Sequence, residues 1–194
     1  MQEENKPTPN PERRAQMRAR LIAAARALFV EKGYAEASTP EIVRAAGATR
    51  GALYHHFDDK RALFHAVVQQ EAEAVTQAIQ AAGQGAVGEG ALTAGSRAFF
   101  AAMQIDGRAQ LLLVDGPSVL GAQEMDRIDA GGGRAALRLG LAAAQPDLPA
   151  GELDARATVL SAAFDRAALA ITQGDGAPED FEAAMAALLG TGFG

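Results

Sequence analysis

The sequence predicts an all-α chain, with an N-terminal three-helix unit followed by a longer helical remainder. Three observations point there. Apolar residues make up 48% of the chain, and much of that share is alanine, the strongest helix former. Apolar positions recur at three- and four-residue steps from one end to the other. No stretch alternates apolar and polar residues as a half-buried strand would, and no internal repeat is visible.

The opening, "MQEENKPTPNPE", is polar and proline-rich. Residues 1–12 are expected to be a disordered tail, and they lack the apolar core of a signal peptide. Asn10 offers an N-cap with Pro11 at the first helical position. Met17, Leu21, Ala24, Ala25, Leu28 and Phe29 then give one buried helix face, with Arg13, Arg14, Arg18 and Arg20 along its early turns. Gly33 is placed to stop it. In "STPEIVRAAG", Ser38 and Glu41 have capping-box spacing, and Pro40 is tolerated in the first turn. Gly47 ends this short helix, and Thr49 caps another that runs to about His56. The shared core is expected to be Phe29, Ile42, Ala46, Leu53 and Phe57. Asp58 or Asp59 caps a long connecting helix at about 60–82.

Beyond it, the glycine-rich stretch Gly83–Gly90 is the expected domain boundary. Helices are expected at Leu92–Met103 and Arg108–Val114, and along one segment from Pro117 towards Ala144. Gly131, Gly132 and Gly133 interrupt that segment. Each costs a helix interior about 1 kcal/mol relative to alanine, so a break, kink or disorder is expected there, either as an ordinary interhelix loop or as a mobile pocket entrance. Leu153, Ala157, Leu160, Phe164, Ala167 and Ile171 form a seam of coiled-coil-like spacing. Phe181, Met185, Leu188 and Leu189 repeat the pattern in a last helix opened by Pro178.

Charge is uneven along the chain. Up to Arg61 there are 11 Lys/Arg and 8 Asp/Glu, a balance of +3; after it there are 7 and 16, a balance of -9. Such asymmetry suggests different partners for the two parts. There is no cysteine, so disulfides and thiolate metal sites are excluded. No apolar run reaches the roughly 18 residues of a membrane span. A cytoplasmic location is expected.

Two short helices joined by a tight turn at Gly47 make a helix-turn-helix, which works by laying its second helix in the DNA major groove. The stretch "ATRGALYHHFDDK" (48–60) suits that task. Thr49 leaves the helix N-terminus open to a phosphate. Arg50 can donate two hydrogen bonds to a guanine edge. Gly51 removes a side chain and permits close approach. Leu53 and Phe57 point inwards, Tyr54 and His55 outwards. Lys60 is placed for backbone phosphate. An acidic total is no objection, because phosphate binding needs local positive charge.

The stretch "STPEIVRAAGATRGALYHHFDDKRALF", with Phe29, Gly33 and Tyr34 before it, resembles the DNA-binding signature of the TetR (tetracycline repressor) family of bacterial regulators. The detailed likeness covers about residues 13–68. It implies that Arg50 and Gly51 approach bases, that Tyr54 and Lys60 contact phosphate, and that His55 touches DNA at a variable position. Thr39 is a further phosphate candidate. His56 is open between packing and DNA contact. The resemblance also implies that residues 83–194 bind a small effector and form a homodimer, that 13–59 reads a palindromic operator, and that the effector releases it.

The effector pocket is expected between the middle helices, with an apolar lining drawn from Phe99, Phe100, Met103, Leu111, Leu120, Met125, Ile128, Leu137, Leu141 and Phe164, and hence an apolar effector. Arg108, Asp115 and Arg134 are candidate polar partners or surface charges. Dimerisation is expected through the Leu153–Ile171 and Phe181–Leu189 helices. No cofactor or metal is expected, since three histidines at 55, 56 and 65 give no convergent ligand spacing. An enzyme and a helical protein-interaction adaptor are the rival readings. "DGPSVLG" contains a serine, but no His or acid partner can be assigned to it. Binding to sheared genomic DNA separates both rivals from a DNA reader.

Overall fold

The first helix is built on Leu21, Ile22, Ala25 and Phe29, all buried on one face. The computed structural model describes residues 11–86 and 88–190. Most of the expected tail lies outside that range, but Pro11 and Glu12 are helical and open α1 (Pro11–Glu36). Gly33 leaves the helical path at φ 77°, a conformation that favours glycine. The chain turns there, and Phe29, Tyr34 and Phe64 pack ring against ring at 5.0–5.7 Å. Helix α2 (Thr39–Ala45) starts on its capping box: the Glu41 carboxylate accepts from the Ser38 N–H at 3.2 Å and from its hydroxyl at 2.7 Å. Lys32 of α1 adds an ion pair to Glu41 at 2.7 Å. Hydrogen bonds from Lys32 and then Ser38 hold the Glu41 carboxyl down at about 2.

Gly47 makes the turn at φ 57°, and α3 (Arg50–His56) follows. Ile42, Ala46, Leu53 and Phe57 are buried beneath it, as the spacing predicts. The turn is clamped from α1. The Arg20 guanidinium donates to the carbonyls of Ala46 and of Gly47, the latter at 3.2 Å. A Cβ at Gly47 would lie 2.7 Å from that guanidinium. Arg18 lies over the Phe57 ring at 5.3 Å. Two of the four early arginines therefore hold the motif together. Helix α4 (Lys60–Gly83) is capped by Asp59, whose carboxylate accepts from the Ala62 N–H at 2.6 Å.

Contacts divide the chain into two compact units, Met1–Val67 and Val68–Gly194. The division falls inside α4, and the glycine-rich stretch expected as a boundary is a connection within the second unit. That unit continues as α5 (Glu89–Met103), α6 (Arg108–Gln110), a wide π-type turn (Leu111–Asp115), α7 (Gly116–Leu120), α8 (Ala122–Gly131), α9 (Gly133–Ala144), α10 (Ala150–Gln173) and α11 (Pro178–Gly190). The segment expected from Pro117 towards Ala144, with a break at its glycine run, is three helices. Gly121 (φ 92°) and the glycine run supply the breaks. At the second break Gly132 is non-helical and meets α4; a Cβ there would lie 2.8 Å from the Thr76 hydroxyl.

Helix α10 packs against α9, α11 and α6, and α5 against α9 and α11. One expectation is corrected here. Leu153, Ala157, Leu160, Phe164 and Ala167 are buried within their own chain, and Ile171 is half-buried. The seam is intramolecular core, so it offers no face to a second copy. Arg108 is likewise neither a surface charge nor free for a ligand. It forms a largely buried ion pair with Glu71 of α4 at 2.8 Å and donates to the Ala102 carbonyl at 2.8 Å.

Candidate nucleic-acid interface and ligand cavity

Helix α3 has two unlike faces. Leu53 and the C-terminal Phe57 are buried, at 0% and 5% exposure, while Arg50, Gly51, Tyr54 and His55 are exposed. Thr49 caps the helix by accepting from the Ala52 N–H at 3.1 Å; its hydroxyl proton remains free to donate. The Arg50 guanidinium lies 5.6 Å over the Tyr54 ring, so the two share one patch. His55 and His56 stand edge to face at 5.5 Å. His56 is half-buried and also neighbours Phe57 at 6.4 Å. Burial, then the charges of His55, Arg14 and Arg18, lower its pKa, which favours a neutral ring. Thr39 is half-buried in the first turn of α2.

Lys60 is held more firmly than the sequence suggests. Its ammonium donates to the Ala35 carbonyl at 3.1 Å and lies 4.5 Å over the Tyr34 ring. It ties the start of α4 to the end of α1, with two further protons able to reach outwards. Gly51 is unusual in a different way. A Cβ there would meet nothing nearer than the Thr49 hydroxyl at 3.9 Å, and its backbone is helical. Among the described residues nothing requires glycine at that position.

In the second unit two adjoining cavities, of about 270 Å³ and about 420 Å³, share Phe99, Asp129, Gly133 and Asp165 in their walls. The first also takes Leu137 and Phe164; the second takes Met103, Met125 and Ile128. Those residues are therefore brought together around cavities. Phe100, Leu111, Leu120 and Leu141 line neither cavity and are buried as plain core. Phe99, Phe100 and Phe164 form a ring cluster at 5.2–5.5 Å. Arg134 lines the second cavity and pairs with Asp126 at 2.8 Å and Asp129 at 3.6 Å. Asp115 accepts from the Gln110 side chain at 2.8 Å, outside both walls. The carboxylates of Asp129 and Asp165 were not among the residues expected at the pocket. Asp165 follows Phe164 one step off an apolar seam, where a sequence reader expects solvent.

These features have relatives. Residues 21–67 match the family of bacterial regulatory proteins called the tetR family. Residues 89–191, more than half of the chain, match the tetracyclin repressor-like C-terminal domain. The chain belongs to the TetR family. Among curated TetR-like relatives it is 41% identical over 59 residues to an HTH-type transcriptional repressor of Mycobacterium tuberculosis, covering 30% of this chain and 32% of that one. It is 49% identical over 51 residues to the transposon Tn10 TetC protein of Escherichia coli, covering 26% of each. These matches span only about a third or less of the relatives' length. Among solved structures, a TetR-family transcriptional regulator of Pectobacterium atrosepticum superposes with a TM-score of 0.67 at 27% identity, covering 93% of each chain. The fatty acid degradation regulator FadR of Bacillus halodurans superposes with a TM-score of 0.75 at 17% identity, covering 96% and 98%; that likeness is one of fold. Among the described residues no helix is long and apolar enough to cross a membrane, and no cluster of metal-ligating side chains occurs.

Proposed function

We propose that this protein is a ligand-responsive transcriptional repressor that binds a palindromic operator as a homodimer and is released by a small effector in the second unit. The observation that carries the reading is Gly51. A glycine in a helix costs stability, and no neighbour among the described residues benefits from this one. Its bare surface lies beside Arg50, Tyr54 and His55, so a partner outside the chain is what gains from it. A DNA groove approached at van der Waals distance fits, with Arg50 towards a guanine edge and Tyr54, Thr49, Thr39 and Lys60 towards phosphates. The names of matched relatives, several of them transcriptional repressors, agree with repression.

The dimer is supported by the outward faces of α10 and α11, where Val159 is 67% and Leu188 38% exposed. A two-fold dimer matches half-sites about 34–36 Å apart. The effector equilibrium follows from linkage: a ligand that favours a conformer with poor operator spacing must be bound more weakly by the operator complex, by the same factor. The reading is tested by recovering bound fragments from sheared genomic DNA and aligning them. A shared inverted repeat is expected; recovery of random sequence, or of none, overturns it.

A further inference from the structure

The wall shared by the two cavities is apolar except for one acidic spot. Asp129 is satisfied within the protein: Ser161 donates its hydroxyl at 3.0 Å, the Arg134 N–H donates at 3.2 Å, and the Arg134 guanidinium lies at 3.6 Å. Arg134 is in turn shared with Asp126 at 2.8 Å, so one cation serves two carboxylates. Asp165 has no hydrogen-bond donor or cation in range among the described residues, yet it lines both cavities. Its neighbour Arg166 is exposed and lies 3.9 Å from Asp175. The spot therefore carries more negative than positive charge, and the side chain that faces the space is the one without a partner.

A carboxylate in an apolar wall is costly unless a cation pairs with it. We propose that the cavity is selective for an organic monocation, a protonated amine on an apolar body. The ammonium pairs with Asp165, and the body rests on Phe99, Leu137 and Phe164. This rests on reading the cavity as the effector site, and it puts a cationic group on the small apolar effector expected from the sequence. Binding has a pH signature. Burial, then the Asp129 carboxylate, push the Asp165 carboxyl up to about 7. The other ionisable groups facing it are Asp126, Asp129, Arg134 and Arg166. The Arg134 guanidinium is held charged by Asp126 and Asp129, and Asp129, though raised by burial, is stabilised as the anion by Ser161 and Arg134.

The test is calorimetric titration of the full chain, without DNA, using phenylbutylamine, phenylbutanol and phenylbutyrate. These share a skeleton and differ in charge. At about pH 8 the amine is expected to bind at least about tenfold more tightly than the alcohol, and the acid more weakly than either. Between about pH 6 and about pH 8 the amine affinity should rise about tenfold, as a carboxyl titrating near 7 ionises. In Asp165→Asn the amine should fall to the level of the alcohol and lose its pH dependence, while Asp115→Asn, outside both cavity walls, keeps the preference. Circular dichroism verifies that each variant is folded. No amine binding, equal binding of amine and alcohol, or a preference that survives Asp165→Asn overturns the proposal. Operator binding is measured separately: its loss would sink the regulator reading, whereas the titration reads the cavity alone.

Discussion

Gly51 and Arg50 sit next to each other and make opposite predictions. Gly51→Ala should raise the stability of the free protein by about 0.5–1 kcal/mol, because alanine is the better helix former and nothing obstructs its methyl. The same change should weaken operator binding. A melting curve and a binding isotherm on one preparation check both signs, and a variant that loses stability or keeps full affinity contradicts the role assigned to Gly51. Arg50→Ala should leave melting unchanged and lower discrimination at one base pair by about 1–3 kcal/mol, read by competition between operator and single-substitution variants. Asp165 gives a third prediction. Its folded pKa, about 7, is raised above the ordinary carboxylate value. Relative stability from this group is therefore complete below about pH 4 and lost as pH rises through 7. Asp165→Asn should leave the melting temperature nearly unchanged at about pH 4, raise it at about pH 8, and flatten the decline between.

At the scale of elements, tight turns and long-range tethers decide the outcome. Gly47 combines a left-handed backbone with an arginine packed against it. Gly47→Ala should cost the first unit about 1–2 kcal/mol, measured by chemical denaturation, and operator binding should fall with it. Glu71→Gln should cost about 3–5 kcal/mol, because it leaves Arg108 largely buried without its counter-charge.

These same elements mark what the sequence can say. Capping box, Gly33, Gly47 and the two-faced α3 were legible because each rests on residues a few positions apart. The glycine run was legible as a break for the same reason. Arg20 and Arg108 were not, since their partners lie 26 and 37 positions away. Nor was the destination of the α10 seam. Three-and-four spacing identifies a buried face without saying whether the covering helix belongs to the same chain. Here α9, α11 and α6 cover it. Asp165 is not legible as a cavity residue, because a lone aspartate beside an apolar stripe has the same sequence pattern as any solvated residue.

For the whole molecule, the +3 and -9 halves allow an acidic protein to bind a polyanion with its N-terminal part. Operator affinity should fall with added salt, with a slope shallower than for strongly basic DNA binders, as a titration in potassium chloride would measure. Assembly is the second expectation at this scale. Val159 is exposed within its own chain, so Val159→Glu should leave the monomer fold intact and convert a dimer to a monomer in light scattering. A wild-type monomer at micromolar concentration would undercut the palindrome.

The division of labour on α3 has an evolutionary consequence. Residues that hold the helix (Leu53, Phe57) and residues that face outwards (Arg50, Gly51, Tyr54, His55) do not overlap. Exposed substitutions usually shift stability by no more than about 0.5 kcal/mol. A duplicated copy of this gene could therefore change its genomic address through a few outward substitutions, without first acquiring compensating changes in its core.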